Sequence, residues 1–559
     1  MNKETILLTD GYKLDHRRQY PEGTEYVYSN WTPRSNNYFP EATEGVVVFG
    51  IQYFIKEYLL KRFTSEFFKQ PKDIAVKTFK RRVDTFLGEN NVGTQHIEEL
   101  HDLGYLPIKI KALPEGTLCP IRVPALTFIN THPKFFWLTN YFETLISTTL
   151  WLPMTSATSA RLYKKELRRH AEATGFEPND FSIHDFSMRG MAGLEAAIMS
   201  GMAHLTSFTG SETIPALSAL EEYYNCNAEK ELIAGTIPAT EHSVMCAGGD
   251  STELETFRRL ITEVYPNGFV SIVSDTWDFW KVMSEYTVAL KEEILARNGR
   301  TVFRPDSGDP VDIICGLDVL YLTTEDYEDM FYTVLEHDYF SIRGLYYKVD
   351  KEEVANEYNE YGKEVFEMTG TDINTLIDRG VFSLVELEPS VLKGAYRLLW
   401  DIFGGTINEK GYKVLNPKVG IIYGDSITLE RQKEIYKRLE EKRFCASNLV
   451  LGVGSYTYQF RSRDSLSFAM KATWCQINGE SIDIYKDPKT DNGVKKSLRG
   501  RIGVYYDDFM ELTAHDQVNK ATEESGELIT VFEDGKLIKE YSLAEIRDRV
   551  NKSLCGKSI

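Results

Sequence analysis

The chain has 559 residues, too many for one ordinary hydrophobic core, so two or three domains are expected. Lys and Arg number 64 against 83 Asp and Glu, a net charge of −19, so the chain lacks the basic footprint of a nucleic-acid binder, although a local Arg/Lys cluster could still hold a small anion. Seven widely spaced cysteines with no Cys-x-x-Cys argue against a disulfide framework or a zinc site, and no stretch approaches the roughly 18 apolar residues of a membrane span.

The opening "MNKETILLTDGYK" returns to charge after four apolar residues, so no signal peptide is expected, and the cytoplasm is the expected compartment. "VVVFGIQYFIKEYLLKRF" (Val46 to Phe63) has helical spacing in its second half. "LPIKIKALPEGTLCPIRVPALTFIN" (Leu106 to Asn130) alternates apolar and polar residues and reads as antiparallel β turning at Pro-Glu-Gly. "KFFWLTNYFETLISTTLWL" reads as a buried helix.

From about residue 180 the texture changes to short apolar runs that end in polar residues and lead into helices. The runs are "FSIHDFSMRG", "LTSFTGSET", "GTIPATEHS", "FVSIVSDTWD", "TVFRPDSGDP", "VGIIYGDSIT" and "LVLGVGSYTY". Helices are expected at Met191 to His204, Ser251 to Val264, Phe279 to Arg297 and Leu429 to Lys442. Strand, polar loop and helix in repetition require a parallel sheet with crossovers, and this number of units suits a βα barrel, whose active face is built from the loops after the strands. Residues 318–416, acidic and tyrosine-rich, read as a partly helical insertion, and "EDGKL" near the end reads as a hairpin turn.

The strand-end positions collect the chemistry: His184, Asp185, Arg189, Glu212, His242, Asp275, Asp278, Arg304, Asp306 and Asp425. "TVFRPDSGDP" has two readings, a hairpin corner or a strand end opening into a site; it lacks the ligand spacing of an EF-hand. Arg304 and Asp306 share a face if the chain there is extended, Asp suiting vicinal ribose hydroxyls and Arg a phosphate or carbonyl. "HDFSMRG" and "TEHS" (Glu241, His242) could equally be structural pairs, and "FRSRDSLSFAMK" (Arg461, Arg463, Lys471) a solvated face. "YGDS" and "LGVGSYT" place small residues where backbone N–H groups can cradle phosphate, or where strand and helix simply pack closely. Taken together, the set suits an enzyme handling a sugar phosphate. An aldolase-like barrel would need a strand-end lysine, for which Lys471 is the candidate.

"LLTDGYKLDHRRQYPEGTEYVYSNWTPR", "LPIKIKALPEGT", "WLTNYFET", "HDFSMRG", "EHS", "VSDTWD", "RPDSGDP", "GD" and "YKDP" follow in one order, and through them nearly the whole chain resembles the nicotinamide phosphoribosyltransferase family. The resemblance implies an α/β fold, the irregular βα barrel of type II phosphoribosyltransferases with an additional α+β domain built from the N-terminal and C-terminal segments. The expected boundaries are 1–150 for the N-terminal domain, 151–477 for the barrel with its 318–416 insertion, and 478–559 for the C-terminal segment.

It also implies transfer of phosphoribosyl from 5-phosphoribosyl-1-pyrophosphate to nicotinamide, with Mg²⁺ as cofactor, ATP as a facultative activator and a homodimer with shared active sites. The alternative is transfer to nicotinate. Carried onto this sequence, the family's roles give Phe186 and the partner subunit's Tyr12 to the pyridine ring, Arg304 to the amide and phosphates, and Asp306 to the ribose. Gly424, Asp425, Ser455 and Arg463 fall to the nucleotide's ribose and phosphate. Arg34, Arg189, His242 and Lys471 fall to pyrophosphate, with His242 phosphorylated by ATP. Asp275 and Asp278 support Mg²⁺ through water, and Glu241, Ser274, Ser426 and Lys486 complete the substrate contacts. Two positions depart from the family's pattern: Glu212 stands where the family has the Asp that accepts the carboxamide N–H, and Ser455 where it has Gly.

Overall fold

A computed structural model of the chain describes residues 4–323, 334, 336–351, 377–378, 380, 382–424, 426–485 and 498–555. The chain divides into two compact units, one of Met1–Lys165, Ile183–Thr236 and Val453–Ile559, the other of Glu166–Ser182 and Ile237–Gly452. No helix among the described residues is long and apolar enough to cross a membrane.

The first unit is built on a seven-stranded antiparallel sheet. Its order is Glu480–Asp483, Ala469–Ile477, Thr24–Thr32, Leu126–Asn130, Ile108–Ala112, Ile529–Glu533 and Lys536–Leu537. N-terminal and C-terminal segments therefore interleave in one sheet. Thr24–Thr32 lies inside the sheet and has its last six residues buried, with Trp31 stacked on Phe468 at 4.9 Å between ring centroids.

The antiparallel pairing of Ile108–Ala112 with Leu126–Asn130 is as expected, but the connection is not a tight hairpin at Pro-Glu-Gly. Leu118–Cys119 leaves to pair with Val46–Val47, and the buried carboxylate of Glu115 accepts from the backbone N–H of Gly50 and Gln52. Those N–H groups open the helix that begins at Ile51 and widens to π geometry over Phe54–Arg62. The long helix Glu143–Thr174 carries Pro153 inside it, and a Cβ on Gly50 (φ 95°) would lie 2.6 Å from the Pro153 ring, so only glycine fits there. "EDGKL" forms the expected hairpin, with Asp534 and Gly535 both at positive φ. The same unit holds a parallel pair, Ile183–Asp185 with Gly210–Ser211.

In the second unit four parallel strands lie in the order Leu449–Val453, Val419–Tyr423, Asn298–Arg304 and Asn267–Val273. Crossover helices include Pro310–Cys315 and Leu429–Glu441. Six of the seven strand-like runs are thus strands. The exception is "GTIPATEHS", which makes only isolated bridges, at Gly235 and at Ala239. Pro238 between them has no N–H to donate to a ladder.

The described part of 318–416 is less helical than its composition suggests. Val319–Leu322, Tyr339–Ile342, Leu345–Val349 and Phe382–Val385 form a four-stranded sheet in that order, with a small core of Leu322, Val334, Phe340, Ile342, Tyr347, Val349 and Phe382. The helix Pro389–Phe403 follows and kinks at Gly394. The stretch "EEVANEYNEYGKEVFEM" lies outside the described residues.

Candidate active site

In the second unit the polar ends of three adjacent parallel strands meet. "TVFRPDSGDP" is not a hairpin corner: its strand ends at Arg304, and Asp309 caps the next helix by accepting from Val311 N at 2.9 Å and Asp312 N at 3.4 Å. Ser274 ties the neighbouring strand to it, donating its N–H to Arg304 O at 2.9 Å while its hydroxyl accepts from Arg304 N at 3.3 Å. Asp275 Oδ2 accepts from Asp306 N at 2.9 Å and from Ser307 Oγ at 2.6 Å, so one carboxylate fixes the turn that carries Asp306.

On the other side Gly424 leaves room for the Asp306 carboxylate, since a Cβ on residue 424 would lie 2.4 Å from Asp306 Oδ1. Tyr423 donates to Gly308 O at 2.7 Å. Burial, followed by the charges of Asp306, Asp309 and Asp275, pushes its phenol well above the usual range. Ser426, at φ 60°, is held through its carbonyl by Arg431 at 2.7 Å.

His242 opens the helix His242–Cys246 and is half exposed, with Nδ1 3.4 Å from Thr276 Oγ1 and Nε2 3.9 Å from Asp275 Oδ1. That Asp275 oxygen is buried and makes no hydrogen bond. Asp278 is committed to capping a helix, accepting from Lys281 N at 3.0 Å, and Glu241 accepts from the Ser243 hydroxyl. No group of three or more metal-ligating side chains occurs among the described residues. Of the two carboxylates expected to support Mg²⁺, Asp275 thus keeps an oxygen without a hydrogen bond, whereas Asp278 caps a helix.

The first unit holds a separate group. Asp185, fully buried at the end of its strand, accepts from Ser187 N at 2.9 Å, Ser211 Oγ at 2.9 Å and Thr213 Oγ1 at 2.7 Å. It thereby locks the loop bearing Phe186 and Arg189 to the loop bearing Glu212. Phe186 is partly buried, its ring leaning on His184 at 4.8 Å, and Arg189 is exposed. Glu212 Oε1 accepts from His184 Nε2 at 3.0 Å and from the Thr236 hydroxyl. Ser455 begins a short helix, and a Cβ on Gly190 would lie 2.0 Å from its hydroxyl.

Three cations lie on or beside the paired strands Thr24–Thr32 and Ala469–Ile477. Arg34 follows the strand Thr24–Thr32 and donates to Ser467 O at 3.1 Å, while Arg463 and Lys471 flank that turn. Arg463 also lines a cleft of about 310 Å³ with Tyr12, Lys13, Glu143 and Trp151. Burial, followed by Asp10 and Glu143, pushes the Tyr12 phenol up. Asp425 and Lys486 lie outside the described residues. Thr236 escaped sequence reasoning, because a single hydroxyl in a loop carries no periodic signal.

The model of the nicotinate phosphoribosyltransferase (NAPRTase) family matches residues 181–364 and 388–535, and that of the nicotinamide phosphoribosyltransferase N-terminal domain matches residues 4–110. A nicotinamide phosphoribosyltransferase of Acinetobacter baylyi is 46% identical over 558 residues, covering 98% of this chain and 96% of its own. One from Mycoplasma pneumoniae is 33% identical over 513 residues, covering 89% and 94%. In fold alone, the chain is similar to the crystal structure of nicotinate-nucleotide pyrophosphorylase from Pyrococcus furiosus, with a TM-score of 0.51 at 13% identity over 100% of this chain and 98% of that one. The chain belongs to the nicotinate phosphoribosyltransferase (NAPRTase) family and, within it, to the nicotinamide phosphoribosyltransferases.

Proposed function

We propose that the protein transfers the phosphoribosyl group of 5-phosphoribosyl-1-pyrophosphate to nicotinamide, releasing nicotinamide mononucleotide and pyrophosphate in NAD salvage. The ring nitrogen supplies the electron pair for the new bond to the anomeric carbon, and the bond to pyrophosphate breaks with its electrons on the leaving oxygen. The nitrogen is already nucleophilic, so no strong base is needed, and catalysis consists of positioning and charge stabilisation around an oxocarbenium-like state. Asp306 accepts from the ribose hydroxyls, Arg304 meets the amide and phosphates, and Phe186 stacks on the ring, with Tyr12 of the partner subunit on its other face in a homodimer. Arg34, Arg189, Arg463 and Lys471 offset phosphate charge. Asp275 and Asp278 would support a Mg²⁺, partly through water, and the ion would supply positive charge against the departing pyrophosphate. ATP acts by transferring its γ-phosphoryl group to a His242 ring nitrogen and leaving as ADP. The compartment is the cytoplasm.

The observation that carries the choice of base is Glu212, a carboxylate on the strand end next to the one bearing Phe186. It accepts a carboxamide N–H and repels the carboxylate of nicotinate. The test is pyrophosphate release by the purified protein with donor, Mg²⁺ and either base. Preference for nicotinamide is expected, and preference for nicotinate would overturn the assignment.

A further inference from the structure

Glutamate at position 212 raises a physical difficulty. Its arm is longer than aspartate's, and a partly exposed glutamate on a loop samples several rotamers, which blurs the position of the acceptor. The surroundings remove that freedom. His184 is 5% exposed and directs Nε2 to Glu212 Oε1 at 3.0 Å; because a carboxylate only accepts, Nε2 carries the hydrogen. The imidazole is itself confined, with Phe186 at 4.8 Å on one side. On the other side its Nδ1 occupies the space that a Cβ on Gly210 would fill, 2.5 Å away.

The second donor, Thr236, is set by backbone bonds rather than packing. Ser211 N donates to Gly235 O at 3.2 Å, and Gly235 N donates to Thr209 O at 2.8 Å, which aligns residue 236 with the strand end bearing Glu212. Two segments besides its own therefore converge on one carboxylate oxygen.

We propose that His184 and Thr236 are positioning residues that determine base specificity by clamping the Glu212 carboxylate. The inference rests on the reading of the protein as a nicotinamide phosphoribosyltransferase. A clamped carboxylate meets the carboxamide N–H at a fixed place and meets the nicotinate carboxylate as an unavoidable like charge. An unclamped one can swing aside, which weakens the first contact and relieves the second.

The experiment measures kcat and KM for both bases in His184→Met, Thr236→Val and His184→Gln, alone and in a Glu212→Ala background. His184→Met and Thr236→Val each raise KM for nicotinamide about tenfold and narrow the nicotinamide-to-nicotinate ratio, with KM for the phosphoribosyl donor unchanged. His184→Gln, which keeps a donor near the Nε2 position, restores most of the ratio. In the Glu212→Ala background neither His184→Met nor Thr236→Val adds a further loss. Wild-type selectivity in the single variants, or equal losses with and without Glu212, would overturn the proposal. Should His184→Met not fold, the solvent-exposed Thr236→Val decides alone. A wild-type preference for nicotinate would instead sink the functional reading and is seen before any variant is made.

Discussion

Gly424→Ala separates function from stability in a way the geometry makes quantitative. Residue 424 has no positive φ, so alanine adopts its backbone without strain. The new Cβ would lie 2.4 Å from Asp306 Oδ1, about 1 Å inside ordinary contact, and 3.5 Å from Arg304 Cδ, which is ordinary contact. The obstacle is the tip of a rotatable side chain rather than backbone, so Asp306 turns away and the strands stay where they are. Folding stability should hold or rise by about 0.4–1 kcal/mol, because alanine restricts the unfolded chain. Activity should not hold. Asp306 is proposed to accept from two ribose hydroxyls, and hydrogen bonds to a charged group are each worth about 1.5–3 kcal/mol, about 3–6 kcal/mol for the two, so displacing it lowers kcat/KM for the phosphoribosyl donor by roughly 140-fold to 20,000-fold. Initial rates of pyrophosphate release against donor concentration, with a thermal melt beside them, provide the assay. Asp306→Ala should match the loss, and the double variant should add nothing to it. Near wild-type kcat/KM, or a melting point lowered by several degrees, would refute the reasoning.

Two further outcomes concern stability. Gly394→Ala is the reverse case: φ is 73° and the new Cβ would lie 2.0 Å from the backbone N of Gly316, so strain and overlap should cost about 3 kcal/mol or more in denaturant unfolding, and a loss under 1 kcal/mol would contradict the geometry. His170 is buried, stacked on Tyr436 at 4.3 Å, bonded through Nδ1 to Glu440 at 2.8 Å, and accepts from Ala446 N through Nε2 at 3.2 Å; burial pulls its pKa down to about 4 against the pull of Glu440. The folded pKa lies below the ordinary 6.5, so this stability is present above pH 6.5 and is lost as pH falls from there towards 4, by about 2 kcal/mol at pH 5. His170→Phe should unfold more easily at pH 7 and show a correspondingly shallower fall between pH 7 and 5; an unchanged slope would remove His170 from the account.

The barrel strands were legible because buried parallel strands are short apolar runs, and because polar residues in place of the next apolar one mark where each strand ends. That placed Arg304, Asp306, Asp275 and His242 on strand ends or the loops beside them. The pattern could not distinguish a hairpin from a strand end in "TVFRPDSGDP". Both need Pro, Asp and Gly, and the decision lies in Asp309 capping a helix that starts after the motif. "GTIPATEHS" looked like its neighbours, but its proline denies the ladder a donor. The four-stranded sheet within 318–416 was hidden because its core is only seven residues, too few to stand out against a charged, tyrosine-rich background. The interleaving of Ile529–Glu533 beside Ile108–Ala112 joins segments more than 400 residues apart, and no local signal records such a pairing.

Glycines explain why these strand ends can carry chemistry at all. Neighbouring strands run about 4.8 Å apart, so a large polar group at the end of one competes with whatever Cβ the next presents. Gly210 yields its space to the His184 ring, and Gly424 yields its space to the Asp306 carboxylate. In both cases the missing methyl is filled by a side chain that serves the site, and not by a ligand. In sequence Gly424, within "YGDS", reads equally as part of a phosphate cradle, because a small residue after a strand is compatible with either use. Its contact with Asp306 favours the indirect one. On the proposed roles Gly210 would act on the base through His184 and Glu212, and Gly424 on the ribose through Asp306, so an alanine at either should be read first in the position of a carboxylate.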